Sequence, residues 1–252
     1  MLEGITIIKL GGSIITDKTV PFKILYDNIA DIAEQIAKYG RRNLLLVHGG
    51  GSVGHYLVEK LKFNEKEAQD PKAISTIIYE MDNLTQTISK TFLEFDVPVV
   101  ALQTHSIAFL GERGIVLDSK FILNWLRKGL IPILKGDIIL GYDSLARVIS
   151  GDVIVSELAK LNEVRKVIMC FDQDGIIGKD GSIIKQLSLK SNFEELIWLT
   201  GKYDVTGGLR AKLNAMAPIV SLKKEVYFMN PKRNRLLNAL MEKEFKGTKL
   251  VE

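Results

Sequence analysis

This sequence has little cysteine, no long apolar run and no sign of a secretory signal. A single cysteine, Cys170, stands in 252 residues, so no disulfide can close within the chain and a reducing compartment is the natural setting. No apolar run approaches the roughly 18 residues needed to cross a bilayer. The amino terminus, Met1-Leu-Glu-Gly-Ile5, has neither a basic flank nor a long apolar stretch, and the expectation is a cytoplasmic protein. Charge of one sign is scarce too: 34 Lys and Arg against 30 Asp and Glu leave a net +4. That is too thin for the basic stripe that binds a nucleic acid backbone. Neither nucleic acid nor membrane is an expected partner. With six prolines, 46% hydrophobic and 25% charged residues, the composition is that of a globular chain long enough for one large α/β domain.

Short β-branched runs alternate with helical patterns, which predicts strands joined by crossover helices in a largely parallel sheet. The first strand is Ile5–Leu10. Ile29, Ile32, Ala33, Ile36 and Ala37 follow at helical spacing, Gly40 supplies a stop, and Asn43–Val47 is the next strand. A long helix is predicted from Ile74 to Phe95. Further strands are expected at Val97–Leu102, Leu130–Leu134, Lys166–Phe171 and Glu225–Met229, with turns at Gly141–Ser144 and Gly178–Gly181. Neither a linker nor a solenoid repeat breaks the pattern, so residues 1–252 read as one domain with two functional halves meeting near residue 165.

Several glycines stand where a predicted strand ends. Lys9-Leu-Gly-Gly-Ser13 follows the first strand and His48-Gly-Gly-Gly-Ser-Val-Gly-His55 the second. Ligands of open parallel sheets bind beyond the carboxyl ends of strands, where glycine lets backbone N–H groups approach an anion. Two such loops on consecutive strands suggest a shared polyanion site, although either alone is also compatible with a tight turn. Gly49 to Gly54 satisfies G-x-G-x-x-G, a weak match, but no acidic second strand end follows. A G-x-x-x-x-G-K-[ST] phosphate loop is absent. Lys9 interrupts an apolar strand at its carboxyl end, and Lys18 follows in Ile14-Ile-Thr-Asp-Lys18. A third phosphate cradle is read in Asp204-Val-Thr-Gly-Gly-Leu-Arg-Ala-Lys212, and Phe171-Asp-Gln-Asp-Gly175 puts two carboxylates past a strand end. Those carboxylates suit a ribose or Mg²⁺, or an Asp-Gly turn. Three histidines without paired ligand spacing make no case for zinc.

Taken in order, Lys9-x-Gly-Gly-Ser13, His48-Gly-Gly-Gly51, Ser150-Gly-Asp152, Asp172-x-Asp-Gly175 and Asp204-Val-Thr-Gly-Gly-x-x-x-Lys212 resemble the amino acid kinase family. The resemblance spans nearly the whole chain. It implies a three-layer αβα fold around a mostly parallel sheet, ATP with Mg²⁺ as phosphoryl donor, and a homodimer. It also implies an acceptor half up to about residue 165 and a nucleotide half over 166–252. Two details, His55 at the end of the second loop and Ile-Thr-Asp-Lys18 after the first, resemble the isopentenyl phosphate kinase branch, with fosfomycin kinase a close relative. Here Phe171-Asp-Gln-Asp-Gly175 replaces the family's frequent Thr-Asp-Val-Asp-Gly, and Asp152-Val153 replaces an acidic pair.

The resemblance assigns catalysis to Lys9, Lys18 and His55. It assigns the donor to Lys9, Gly11, Gly12, Ser13, Gly50, Asp172, Asp174, Gly175, Gly207, Gly208 and Lys212. Gly49, Gly50, Gly51, Gly54, His55, Gly151 and Asp152 would hold the acceptor, and no residue is assigned as a metal ligand. Transfer to a phosphate needs no general base, because a monophosphate with a second pKa of about 6 is mostly dianionic at neutral pH. The protein has to align the two anions and neutralise charge in a loose transition state. For an apolar tail, Ile77, Ile78, Met81, Leu84 and Ile149 are candidate lining residues; for an amino acid acceptor, Arg147 would be the anchor.

Overall fold

The computed structural model describes residues 3–41, 43–63, 70–112, 114–190 and 208–252. Along the chain its strands are β1 (Ile5–Leu10), β2 (Leu44–His48), β3 (Val99–Ala101), β4 (Ala108–Gly111), β5 (Gly114–Leu117), β6 (Ile131–Lys135), β7 (Asp137–Leu140), β8 (Ala146–Ile149), β9 (Val164–Cys170), β10 (Gln186–Ser188), β11 (Glu225–Met229) and β12 (Thr248–Val251). The helices are α1 (Gly12–Ile15), α2 (Tyr26–Tyr39), α3 (Gly51–Lys60), α4 (Pro71–Glu94), α5 (Thr104–Ile107), α6 (Ser119–Arg127), α7 (Gly151–Ala159), α8 (Gly208–Ser221) and α9 (Arg235–Leu240).

Eight strands form one sheet in the order β10-β12-β11-β9-β1-β2-β6-β3. Neighbours run parallel throughout, except that β12 lies antiparallel to β11. All six residues of β1 are buried, as expected of a strand covered on both faces. Alternation sorts its side chains between two cores. Ile8 and Leu10, with Leu44 and Leu46 of β2, meet Ile29, Ile32 and Ile36 of α2 and Ile77, Leu84 and Ile88 of α4. Ile5 and Ile7, with Leu45 and Val47, meet Ile154 and Leu158 of α7 and Leu213 and Met216 of α8. The result is the three-layer α/β fold expected from the sequence, and no described helix is long and apolar enough to cross a membrane.

Local signals account for the helix boundaries. Gly40 closes α2 in the left-handed region (φ 72°), where its N–H donates to Ile36 O, a conformation that glycine adopts without a Cβ penalty. The long helix starts three residues before the periodicity suggests, because Asp70 caps it by accepting from the amides of Lys72 and Ala73 and Pro71 fits its first position. Gly141–Ser144 turns the β7–β8 hairpin, and the turn at Gly178–Gly181 is closed by Gly178 N–H donating to Ser182 O at 2.8 Å. The β4–β5 hairpin, α6 and the strands β10 and β12 beyond β11 were not anticipated.

His48 ends β2 fully buried. Its Nδ1 lies 3.0 Å from Gly49 O and its Nε2 2.8 Å from Thr85 Oγ1. A carbonyl only accepts, so Nδ1 carries the proton and Nε2 is left as an acceptor toward the Thr85 hydroxyl, whose single proton lies between Nε2 and Met81 O at 2.9 Å. Burial pushes the ring's pKa down to about 4, whereas an unfolded histidine titrates near 6.5. The unfolded chain therefore binds a proton first as pH falls, and this contribution is complete above about pH 6.5 and lost on the way to about 4. The difference corresponds to about 3 kcal/mol. Denaturant unfolding of wild type and His48→Gln at pH 7 and pH 4.5 should show the smaller acid loss in the variant; equal losses would remove His48 from the acid response.

Candidate active site

The carboxyl ends of β9, β1, β2 and β6 lie side by side, with Leu10 in register with Cys170 on one flank and His48 on the other, and His48 in register with Lys135. Loops leaving these ends must meet. Those of β1 and β2 touch through bare backbone: a Cβ on Gly12 would stand 2.5 Å from Gly51 Cα, and one on Gly51, whose φ is +53°, would stand 2.1 Å from Thr16 Oγ1. Thr16 joins them, donating to Gly12 O (2.9 Å) and accepting from the Ser52 amide (2.8 Å). No larger residue fits at Gly12 or Gly51 without moving a loop. Ser13 lies beside them in α1, half-buried, and Gly11 sits against β9, where a Cβ would be 2.6 Å from Cys170 O.

Lys9 projects from the same face of β1 as Ile5 and Ile7, toward α7 and α8. Its ammonium pairs with Asp152 Oδ1 at 2.7 Å, and its side chain is only 6% exposed. Asp152 stands in the first turn of α7, after the cap Ser150, whose hydroxyl accepts from the Val153 amide. The other oxygen of Asp152 faces Lys212 Nζ at 3.5 Å, and Lys212 also donates to Gly208 O at 3.1 Å. One carboxylate therefore holds two cations from elements far apart in sequence. Burial lowers the Lys9 pKa and Asp152 only partly offsets it. Burial also pushes the Asp152 carboxyl up, but Lys9 and Lys212 outweigh it and hold the group below the usual carboxylate range. Gly49 borders this cluster, its Cβ direction pointing to Lys9 Nζ at 3.8 Å, and Gly151 packs on His48 O.

His55 follows Gly54 on α3 with its ring exposed. Partial desolvation lowers its pKa, and the next causes are three cations, Lys212, Lys9 and Lys18. The charges of lysines from three separate motifs thus reach one histidine. Lys18 pairs with Asp172 at 3.1 Å, both side chains well exposed (62% and 47%). An exposed pair of this kind contributes about 0–1 kcal/mol, so Lys18 exchanges readily to another anion. Asp174, by contrast, is taken up by Arg235 and by Lys246 at 3.0 Å, and Gly175 packs on Ile183 and Thr248. The adjacent aspartates of the sequence motif therefore serve different neighbours. Gly207, with Asp204-Val-Thr before it, lies outside the described residues; Gly208 opens α8.

Of the apolar residues considered for a tail pocket, Ile77, Met81 and Leu84 belong to the core, while Ile78 and Ile149 are half-buried. Arg147 is tied to Asp143. Sequence reasoning passed over Lys135, Asp137, Asp82 and His105, which pair with one another behind the β2 loop. The available signal was the one that marked Lys9, a lysine ending an apolar strand.

What this arrangement offers is a set of cationic donors of different burial and two touching glycine loops at the carboxyl edge of a parallel sheet, which suits two adjacent anionic groups. The sequence is 32% identical to the isopentenyl phosphate kinase of Methanocaldococcus jannaschii over 260 residues, covering 98% of each chain. It is 24% identical to that of Thermoplasma acidophilum, covering 96% of this chain and 98% of the other. A crystal structure of an isopentenyl phosphate kinase superposes with a TM-score of 0.83 at 23% identity, over 98% of this chain and all of that one, which establishes a common fold. The sequence profile of the amino acid kinase family matches residues 4–230, from the first strand through β11. A match that takes in both glycine loops, the Asp152 turn and the α8 lysine is not local, and the chain belongs to the amino acid kinase family.

Proposed function

We propose that this protein is an ATP-dependent isopentenyl phosphate kinase, converting isopentenyl phosphate to isopentenyl diphosphate in isoprenoid biosynthesis. The observation that carries the reading is His55, an accessible imidazole in the field of Lys9, Lys18 and Lys212. A carboxylate acceptor makes no call for a histidine beside three lysines, whereas a phosphate dianion does. Similarity to the named kinases supports the same acceptor. The reading includes a homodimer, as the resemblance to the family implies, and a cytoplasmic setting, which the single cysteine fits.

In this mechanism the dianionic acceptor oxygen attacks the γ-phosphorus, a new P–O–P link forms, and the bond from the γ-phosphorus to the bridging oxygen breaks to release ADP. No proton has to be removed from the acceptor. Lys9 and Lys18 contact the transferring group, Lys212 takes donor phosphate, and the amides of Gly11, Gly12 and Gly49 to Gly51 line the path between the two anions. Gly54 and His55 hold the acceptor phosphate in the half that precedes residue 165. The net charge of one carboxylate between two ammonium groups is positive, so the incoming phosphates meet a charge that is already desolvated and fixed, the condition under which electrostatic stabilisation is most effective. Asp152, Asp172 and Asp174 are each engaged by cations of the chain, and the described residues include no group of three or more His, Cys, Asp or Glu placed to hold a metal. No carboxylate cluster among the described residues is set to hold Mg²⁺ by itself; Mg²⁺ would enter bound to ATP phosphates, keeping most of its water ligands.

An ADP-release assay with Mg·ATP should show turnover of isopentenyl phosphate and dimethylallyl phosphate above fosfomycin, UMP, glutamate and carbamate; turnover of glutamate or UMP without the alkenyl phosphates would sink the reading. His55→Ala should lower kcat/KM for isopentenyl phosphate about 10²-fold, the scale of losing one charge-stabilising donor, and leave ATP affinity intact by calorimetry. A third measurement uses charge coupling: a bound dianion opposes the lysines and favours the imidazolium. The NMR titration midpoint of the His55 ring should lie below the ordinary histidine value in the free protein and rise when isopentenyl phosphate saturates it. A midpoint that stays put on binding would place the phosphate elsewhere.

A further inference from the structure

The buried charge cluster behind the β2 loop belongs to none of the motifs that mark the cleft. Lys135, the last residue of β6, is fully buried. Its ammonium donates to Gln103 Oε1 at 2.6 Å and pairs with Asp82 Oδ1 at 2.6 Å and Asp137 Oδ2 at 3.0 Å. Asp137 is held in turn: Oδ1 accepts the Ile138 amide, and Oδ2 accepts the amide and Nδ1 of His105. A cation ringed by three protein oxygens is not waiting for an anionic ligand. Nor is it a strong source of stability, since the desolvation of a buried pair offsets most of its attraction. What it fixes is position.

The position concerned is that of α4. Asp82 and Thr85 stand one turn apart on this helix; Asp82 reaches Lys135, and Thr85 reaches His48 Nε2 at 2.8 Å. His48 and Lys135 are register partners on adjacent strands, so two neighbouring strand ends hold a single turn of α4. Beside that turn is Met81, whose Sδ lies 3.4 Å from where a Cβ on Gly50 would be and 3.2 Å from one on Gly54. Gly54 precedes His55. An unbroken series of contacts therefore runs from Lys135 through Asp82 and Met81 to the backbone that carries the histidine.

We propose that Lys135 is a positioning residue for the acceptor phosphate: by holding Asp82 it seats α4 against the Gly50–Gly54 turn and sets the place of His55. The proposal rests on the kinase reading given above for its substrate, but its geometric content is independent of that. Lys9 and Lys212 lie on the other face of the sheet, among α7 and α8, so the donor side should be spared.

The test pairs Asp82→Asn, a partly exposed site that keeps its shape and loses its charge, with Lys135→Met. Steady-state kinetics should show KM for isopentenyl phosphate raised about tenfold in Asp82→Asn and further in Lys135→Met, with KM for ATP within twofold of wild type. The double variant should be no worse than Lys135→Met alone, as expected of groups acting through one contact. The His55 ring resonances should move in Asp82→Asn. A lower melting temperature with unchanged acceptor KM and unmoved His55 resonances would overturn the proposal, as would an equal loss for both substrates. Should Lys135→Met not fold, Asp82→Asn decides by itself. If the wild type fails to turn over isopentenyl phosphate, the substrate reading falls, and the His55 resonances, with and without saturating inorganic phosphate, still report whether Lys135 and Asp82 set that ring's place.

Discussion

Asp152 is the group on which the cleft depends. Two ammonium groups, from a central strand and from a helix late in the chain, approach the same carboxylate at 2.7 and 3.5 Å. Lys9 is buried deeply enough that desolvation works against its charge. Without a partner, a buried ammonium sheds its proton or moves toward water, and taking away one member of such a pair costs about 3–5 kcal/mol. Asp152 thereby favours the charged form of Lys9 in a place where solvent cannot, and it sets the distance from Lys9 to Lys212.

A contrast in strength then divides the labour. The Lys9–Asp152 contact is shielded from water and sets geometry, whereas Lys18–Asp172 is exposed and exchanges at little cost. Between them the glycine loops supply closeness. Thr16 is the hinge pin of that closeness, with one hydroxyl bonded to both loops. A rigid cation beside a replaceable one is a sensible arrangement for a site that has to admit two anions and then release two products.

The central elements were legible in the sequence because their cause is local. β1 is the apolar run Ile5–Leu10, residue for residue, and α2 ends at its glycine. Two strands beyond β11 were not: β10 has three residues and β12 four, too few for period-2 alternation to be told from chance, and among the described residues β12 pairs only with β10 and β11. The lysines and glycines of the site could be named from order and spacing, yet the bond that unites them could not, since nothing near Asp152 in sequence points to Lys9 or Lys212. Asp172 and Asp174 read as a pair and take different partners, because Arg235 of α9 and Lys246 claim the second while Lys18 meets the first. Lys135 was missed although Ile131-Pro-Ile-Leu-Lys135 repeats the sign that distinguished Lys9, a cation closing an apolar strand. What was lacking was a glycine motif beside it to direct attention there.

The short outer strands have a consequence of their own. β3 and β10, at the two margins of the sheet, have three residues each, which leaves few free main-chain groups to template another chain. Runaway edge-to-edge growth is thereby discouraged. Away from those margins, apolar side chains stand exposed on the β4–β5 and β7–β8 hairpins, namely Val116, Leu140, Tyr142 and Val148.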